Sequence, residues 1–206
     1  MIESQLMPCG VVSPAVATAF RTVAREDFVA ADRRGVAYVD SEQPMGEGRM
    51  LMAPLSIGRL VEAAGIRPAD RVLVVAAGTG YAAALVAAMG ATVVALEDNA
   101  ALAAVARANL ARWPNASVVE GNLPEGHAAL APYSLILVDG AVDELPQSLI
   151  AQLAEGGRVA AIVTGADRVS RAAIGRKAGA ILRFDPFAEA GAPPLPQFGK
   201  PKGFQF

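Results

Sequence analysis

An uninterrupted apolar run, Val72–Ala76, passes directly into Ala77-Gly78-Thr79-Gly80 and then into an alanine-rich segment that ends at Met89-Gly90. A strand that is apolar at every position must be covered on both faces, which places it inside a parallel sheet rather than on a half-solvated one. The two glycines let the backbone reverse sharply and approach a ligand where a Cβ would clash. The pattern then recurs. Thr92–Leu96 is a second apolar run closed by Glu97, and Asn99 follows as the N-cap of a helix with Leu102, Val105, Ala106 and Leu110 on one face. Ser117–Glu120, Leu135–Val138 and Val159–Val163 read as further strands, and 146–154 as a helix ended by Gly156-Gly157. Strands alternating with helical segments, joined by right-handed crossovers, predict an α/β fold with an open, doubly wound, mostly parallel sheet.

The flanking segments differ. Residues 1–66 read as helical: Val12–Val23 is one candidate, and Ile57, Leu60, Val61 and Ala64 lie at helical spacing before Gly65, a C-terminal glycine. Between them, about 35–54 is irregular and punctuated by Pro44, Gly46, Gly48 and Pro54. A loop of that length in a compact domain usually has a function. Residues 167–184 alternate and predict edge strands, an antiparallel pair, and the tail from Pro186 to Phe206 is expected to be extended. The division expected is one domain over 1–206, with a helical substrate and active-site segment at 1–66, a cofactor-binding core at 67–165, and edge strands with a Pro-rich tail at 166–206.

Composition narrows the chemistry. A net charge of −2 over 206 residues, without a polybasic run, argues against a nucleic-acid or anionic-membrane partner. Cys9 and His127 are single, which excludes intramolecular disulfides, most metal sites and every Ser-His or Cys-His catalytic arrangement. Cys9 is expected to be a small core residue, His127 a surface or capping residue, and Lys200 and Lys202 solvated. No secretory leader or membrane span is apparent, so a cytoplasmic location is expected.

In an open α/β sheet ligands bind outside the carboxyl ends of the strands, which singles out the loop Ala76, Ala77, Gly78, Thr79, Gly80. Helix amides beyond Gly80 face such a ligand. Glu97, nineteen residues after Gly78, ends the next strand, where a carboxylate accepts hydrogen bonds from ribose hydroxyls. Two cofactors satisfy this pattern. Gly78-Thr-Gly-Tyr-Ala-Ala83 matches the dinucleotide fingerprint with alanine in third place, so an NAD(P)-dependent oxidoreductase is one reading. S-adenosyl-L-methionine, whose sugar needs the same acid, is the other. The loop's late position and the absence of a proton-transfer residue weigh against the dehydrogenase.

The motifs, taken in order, resemble the protein-L-isoaspartate O-methyltransferase family. Ile2-Glu-Ser-Gln-Leu6 is similar to that family's opening helix, Val23-Ala-Arg-Glu-Asp-Phe-Val29 to its "VPRExFV" stretch, and Ala37-Tyr38-Val39-Asp40 to its "AYxD". Pro44-Met-Gly-Glu-Gly48 and Pro54 resemble the ends of its "PIGxGQTISQP" active-site loop, Val72 to Tyr81 its cofactor strand, and Pro146, Leu149 and Leu153-Ala-Glu-Gly-Gly-Arg158 its "P…L…LKPGGR" region. The resemblance implies a seven-stranded, Rossmann-like S-adenosyl-L-methionine fold that methylates an isoaspartyl carboxylate in damaged proteins. It also implies cofactor-binding positions at Ala76, Ala77, Gly78, Thr79, Gly80, Tyr81, Glu97, Asp98, Asn122, Leu123 and Asp139. Asp139 has a plainer reading as an Asp-Gly turn residue.

The chain departs from the family within the active-site loop. Where the pattern has Gln-Thr-Ile-Ser-Gln, this chain has Arg49-Met50-Leu51-Met52-Ala53. Met50 and Met52 stand where the threonine and serine hydroxyls would meet a carboxylate, and a thioether donates nothing. Each lost bond to a charged group is worth about 1.5–3 kcal/mol, and Arg49 is positioned in sequence to compensate. Met45, Met50 and Met52 are either packing residues or the lining of an apolar acceptor pocket. On the cofactor side, Val74 replaces a glutamate, Ala76 the first glycine, and Asn122-Leu123 an Asp-Gly pair. Two functional readings follow: a methyltransferase acting on a protein carboxylate through Arg49, Met50 and Met52, or a member that keeps fold and cofactor without isoaspartyl activity.

Overall fold

A computed structural model describes residues 1–199; Lys200, Pro201 and Lys202 lie outside the described residues. The chain begins with a short π-helical turn, Ile2–Leu6, followed by α1 (Pro14–Thr22). A small antiparallel hairpin, β1 (Gln43–Gly46) and β2 (Arg49–Leu51), comes next, then α2 (Pro54–Ala64). The loop expected between the helices therefore carries structure of its own. Both helices start with proline at the first helical position, where the missing N–H has no intrahelical partner to lose. The Ser13 amide donates to both carboxylate oxygens of Glu62 at 3.1 Å, tying the start of α1 to α2.

The core is a seven-stranded sheet built from β3 (Arg71–Val75), β4 (Thr92–Glu97), β5 (Ala116–Glu120), β6 (Tyr133–Val142), β7 (Leu153–Thr164), β8 (Ser170–Ala178) and β9 (Ile181–Glu189), in the order β5-β4-β3-β6-β7-β8-β9. The first five are mutually parallel, and β8 and β9 run antiparallel, as the alternating pattern over 167–184 predicts. The intervening helices are α3 (Tyr81–Ala88), α4 (Ala100–Leu110) and the short α5 (Gln147–Ala151). Alternate residues of β3 feed opposite faces. Val72 and Val74 pack with α2, α3 and α4, while Leu73 and Val75 pack with Leu149 of α5, Leu123, and Leu195 and Phe198 of the tail. The sheet order reverses direction at β3 and β6, so the carboxyl ends of β3, β4 and β6 form the crevice where such folds bind ligands.

Several boundaries differ from the sequence expectation. The helix expected over 146–154 shrinks to α5, because Leu153 already pairs with Tyr133 and begins β7. Gly156-Gly157 lies inside β7, where the register jumps from Tyr133↔Leu153 to Leu135↔Arg158, and a Cβ on Gly157 would stand 2.8 Å from the Ala154 carbonyl. Val105 is 44% exposed, so the buried face of α4 is Leu102, Ala103, Ala106 and Leu110. Cys9 is exposed, not a core residue. Pro186 belongs to β9 rather than the tail; β9 is the sheet edge, where a missing donor costs nothing. The tail proper crosses the end of β6: the Ala141 amide donates to Pro193 O at 2.8 Å and the Leu195 amide to Ala141 O at 2.9 Å. Gly140 permits this approach, since a Cβ there would meet Leu195 Cγ at 2.7 Å. No helix among the described residues is long and apolar enough to cross a membrane.

Candidate functional site

The loop after β3 turns through three residues with positive φ: Ala76 at 62°, Gly78 at 56° and Gly80 at 97°. Two of these are glycines and take the conformation freely, whereas Ala76 holds it at a cost of about 1 kcal/mol. The Ala77 amide donates to Leu96 O at 3.0 Å, and Gly80, at the N-cap of α3, carries Leu110 of α4 against it. Thr79 is buried; its hydroxyl donates to Phe28 O at 2.6 Å, and its carbonyl accepts from Asn109 Nδ2 at 2.9 Å. The loop is therefore held by β4 at Ala77 and by α4 at Thr79 and Gly80.

Glu97 ends β4 with its side chain wholly buried. Its Oε2 accepts the Gly78 amide at 2.6 Å, and its Oε1 accepts both the Asn99 amide and Arg49 Nη1 at 3.1 Å. Arg49 reaches over from β2. Its Nη1 also lies 3.2 Å from Asp98 Oδ1, and its Nη2 donates to Ala76 O at 3.2 Å. Asp98 is held from the opposite side by Gln197 Nε2 of the tail at 2.6 Å. Asp139, near the end of β6, is buried, and its Oδ2 has no partner. Burial pushes the Asp139 carboxyl up to about 7; Arg49 and Arg25 oppose that rise and Glu97 adds to it. Burial likewise pushes Glu97 up, against the pull of Arg49 and of the Gly78 and Asn99 amides. Three carboxylates thus surround one partly exposed guanidinium.

The hairpin that carries Arg49 turns at Glu47 and Gly48, both with positive φ, the two-residue type I′ geometry. Met45 on β1 lies directly on the glycine loop: a Cβ on Gly78 would stand 2.6 Å from Met45 Cε, and the Thr79 hydroxyl is 3.3 Å from Met45 Sδ. Beneath the hairpin sits Arg25, fully buried. Its Nε donates to Ala37 O at 2.7 Å and its Nη2 to Met52 O at 2.6 Å, while its guanidinium lies 4.9 Å over the Tyr81 ring. Arg25 Nη1 and the Tyr81 hydroxyl are buried without partners.

The expected site residues separate into two groups. Ala76, Ala77, Gly78, Thr79, Gly80, Glu97, Asp98, Asp139 and Arg49 converge at the strand ends. Others serve the scaffold by their side chains. Tyr81 packs edge-on against Phe20 and Phe28, Leu123 is core, and Asn122 Nδ2 donates to Glu125 Oε1 at 3.2 Å. Of the three loop methionines, Met52 is entirely buried and Met45 nearly so; both are packing residues, so the idea of an open pocket lined by Met45, Met50 and Met52 is corrected to a lid in which only Met50 is half-buried. The loop's separation of packing and polar positions was not readable because Met45, Met50 and Met52 look alike in sequence. Arg25, Asn109 and Gln197 were missed; Arg25 stands beside Glu26 and Asp27 in sequence, so nothing local marked it as the buried one of the three. His127 is half-buried at a 3₁₀ N-cap, its amide donating to Gln152 Oε1 at 2.8 Å.

An adenosine-type cation suits this donor set. A glycine cradle faces the acid of β4, and the unpartnered Asp139 Oδ2, on a carboxyl that burial pushes up to about 7, leaves one polar group beside it without a partner among the described residues. No group of three or more His, Cys, Asp or Glu arranged for a metal occurs among the described residues.

The family model described as protein-L-isoaspartate(D-aspartate) O-methyltransferase matches residues 1–182. The chain is similar to a protein-L-isoaspartate O-methyltransferase of Koribacter versatilis (strain Ellin345), 40% identical over 185 residues, covering 89% of this chain and 83% of that one. It is also similar to one of Methylorubrum populi, 43% identical over 162 residues, covering 77% and 76% of the two chains. A solved protein-L-isoaspartate O-methyltransferase superposes with TM-score 0.82 at 26% identity, covering 94% of this chain and 64% of that chain. A second, described as the Plasmodium falciparum protein in complex with S-adenosyl-L-homocysteine, shares the fold with TM-score 0.76 at 20% identity, covering 93% and 94%.

Proposed function

The chain belongs to the protein-L-isoaspartate O-methyltransferase family, and on that premise we propose that it transfers the methyl group of S-adenosyl-L-methionine to the carboxylate of an isoaspartyl residue in a protein. The observation that carries this reading is Glu97: a fully buried carboxylate at the end of β4 that already accepts the amide of the glycine loop. That arrangement supports ribose recognition beside a turn too tight for side chains. Nothing in the site or the comparisons favours an NAD(P)-dependent oxidoreductase.

In this reading Glu97 and Asp98 would hold the ribose, the Ala76–Gly80 backbone and Asp139 would face the methionine end, and Asn122 with the Leu123 backbone would lie beside the base. The cofactor supplies an electrophilic methyl on a sulfonium. The acceptor carboxylate is ionised at neutral pH, so no residue has to remove a proton from it. What the protein contributes is alignment and exclusion of water. The segment 1–66 supports both: Met45 seals the glycine loop, Arg25 fixes the Met52 and Ala37 carbonyls, and Arg49 and Met50 face the acceptor side. A cytoplasmic site of action accords with an exposed, unpaired Cys9.

Transfer of labelled methyl from S-adenosyl-L-methionine to an isoaspartyl peptide, with the aspartyl isomer as control, tests the proposal. Equal labelling of both peptides, or none, would count against it. A second reading is favoured by the hydroxyl-free loop Arg49-Met50-Leu51-Met52: a family member that binds the cofactor without isoaspartyl activity. Calorimetric binding of S-adenosyl-L-homocysteine with no transfer would select that reading.

A further inference from the structure

The cation of the crevice belongs to the lid and is as heavily engaged as the acid it faces. Arg49 spans Glu97 Oε1, Asp98 Oδ1 and Ala76 O, so one guanidinium bonds two carboxylates and the strained loop carbonyl. Glu97 Oε1 already carries two donors, Arg49 and the Asn99 amide, and Oε2 carries the Gly78 amide. An ionised carboxylate offers about four lone-pair sites, so only one remains. A ribose presents two hydroxyls. Both can donate to Glu97 only if Arg49 leaves Oε1, because the two backbone amides are part of the fold.

The released guanidinium has a restricted set of destinations. Arg49 is the single cationic residue in the hairpin segment 43–52, and that segment carries no hydroxyl. Its side chain is 19% exposed, at the mouth rather than the floor of the site. Planar, bidentate donors match a carboxylate better than any other group the lid offers. On the reading that this chain methylates a protein carboxylate, we propose that Arg49 is the acceptor-binding residue, stored on Glu97 and Asp98 and freed for the acceptor carboxylate when the cofactor's ribose takes Glu97. The same cation thus serves as the internal counter-ion of the acidic crevice and then as the selector for a carboxylate acceptor.

Two binding measurements on the full chain test this without relying on turnover. S-adenosyl-L-homocysteine is titrated calorimetrically into wild type and Arg49→Gln. Storage predicts about tenfold tighter binding to the variant, since the ligand no longer displaces an ion pair; equal or weaker binding overturns it. An isoaspartyl hexapeptide and its carboxamide analogue are then titrated into both proteins saturated with S-adenosyl-L-homocysteine. Wild type is expected to prefer the free carboxylate by at least tenfold and Arg49→Gln to lose that preference. An unchanged preference in the variant, or none in wild type, overturns the acceptor role. Arg49→Lys should restore only part of it. If wild type prefers the carboxylate yet transfers no methyl, the activity reading fails while the assignment of Arg49 stands.

Discussion

Replacing Asp139 by asparagine should make this protein more stable, and increasingly so as the pH rises. Asp139 is buried at the end of β6 with Oδ2 unpartnered, and burial holds its carboxyl at about 7 against an ordinary 3.8. A group whose folded pKa is raised keeps its proton in the native state while the unfolded chain has lost it. Its contribution is therefore complete below about pH 4 and declines as the pH rises through 7, after which the cost is constant. Each tenfold difference in proton affinity between the folded and unfolded chain corresponds to about 1.36 kcal/mol. Worked through both pKa values, wild type loses roughly 3 kcal/mol between pH 5 and pH 8 through this residue. Asparagine preserves the shape and has no charge to desolvate. Urea denaturation of both proteins across that range isolates the residue together with its coupling to Glu97, because titrating groups that do not sense Asp139 cancel in the difference. With a urea slope of about 2 kcal/mol/M, the midpoint gap should widen by about 1.5 M from pH 5 to pH 8. A gap that stays constant would show that Asp139 is not an unpaired buried carboxylate, and the cationic end of the site would need another partner.

Gly78→Ala should cost more than the about 1 kcal/mol of a left-handed alanine, because its Cβ meets Met45 Cε at 2.6 Å; the double variant with Met45→Ala should lose less than the sum of the two, read by denaturant midpoints. Arg158→Ala should destabilise by about 3 kcal/mol, since Asp70 is left buried without the 2.7 Å partner that, with Ser134 and the Arg67 amide, outweighs burial and holds its carboxyl at about 2. That loss should be full above pH 4 and fade as the pH falls toward 2, which acid titration of both proteins checks. Met52→Ser should cost about 3 kcal/mol of stability because the side chain is entirely buried, whereas half-buried Met50→Thr should cost under about 1 kcal/mol. Thermal melts of the two variants separate these values, and any gain of isoaspartyl activity from restored hydroxyls has to be measured below the lowered melting temperature.

Much of the architecture was written locally. The all-apolar run at β3, the glycine turn after it, the Asn99 cap that accepts the Leu102 amide at 3.0 Å, and the Gly65 stop each depend on residues within a few positions of one another. The sheet and its two antiparallel edge strands followed from period alone, and the acid at Glu97 was found because its distance from Gly78 is a property of one strand–helix–strand unit. Errors fell where a long-range partner overrode local preference. Leu153 joined Tyr133 instead of extending a helix, Pro186 was absorbed by a sheet edge, and Val105 faced solvent while Leu102, Ala106 and Leu110 were buried.

By itself, then, the amino-acid order determined the α/β class, the position of the glycine loop and the acid opposite it, because periodicity and turn chemistry act over short spans. Only the tertiary structure decided that Arg49 lies across Glu97, Asp98 and Ala76, that Met45 seals Gly78, that Met52 is core, and that Gln197 of the tail holds Asp98. Those contacts join residues separated by 27 to 99 positions in the chain, and no local rule specifies them. The hairpin contacts follow the burial of Met45, Leu51 and Met52, which leaves the hairpin's single cation facing three carboxyl groups, and the Gln197 contact follows the burial of Leu195 and Phe198 in the tail.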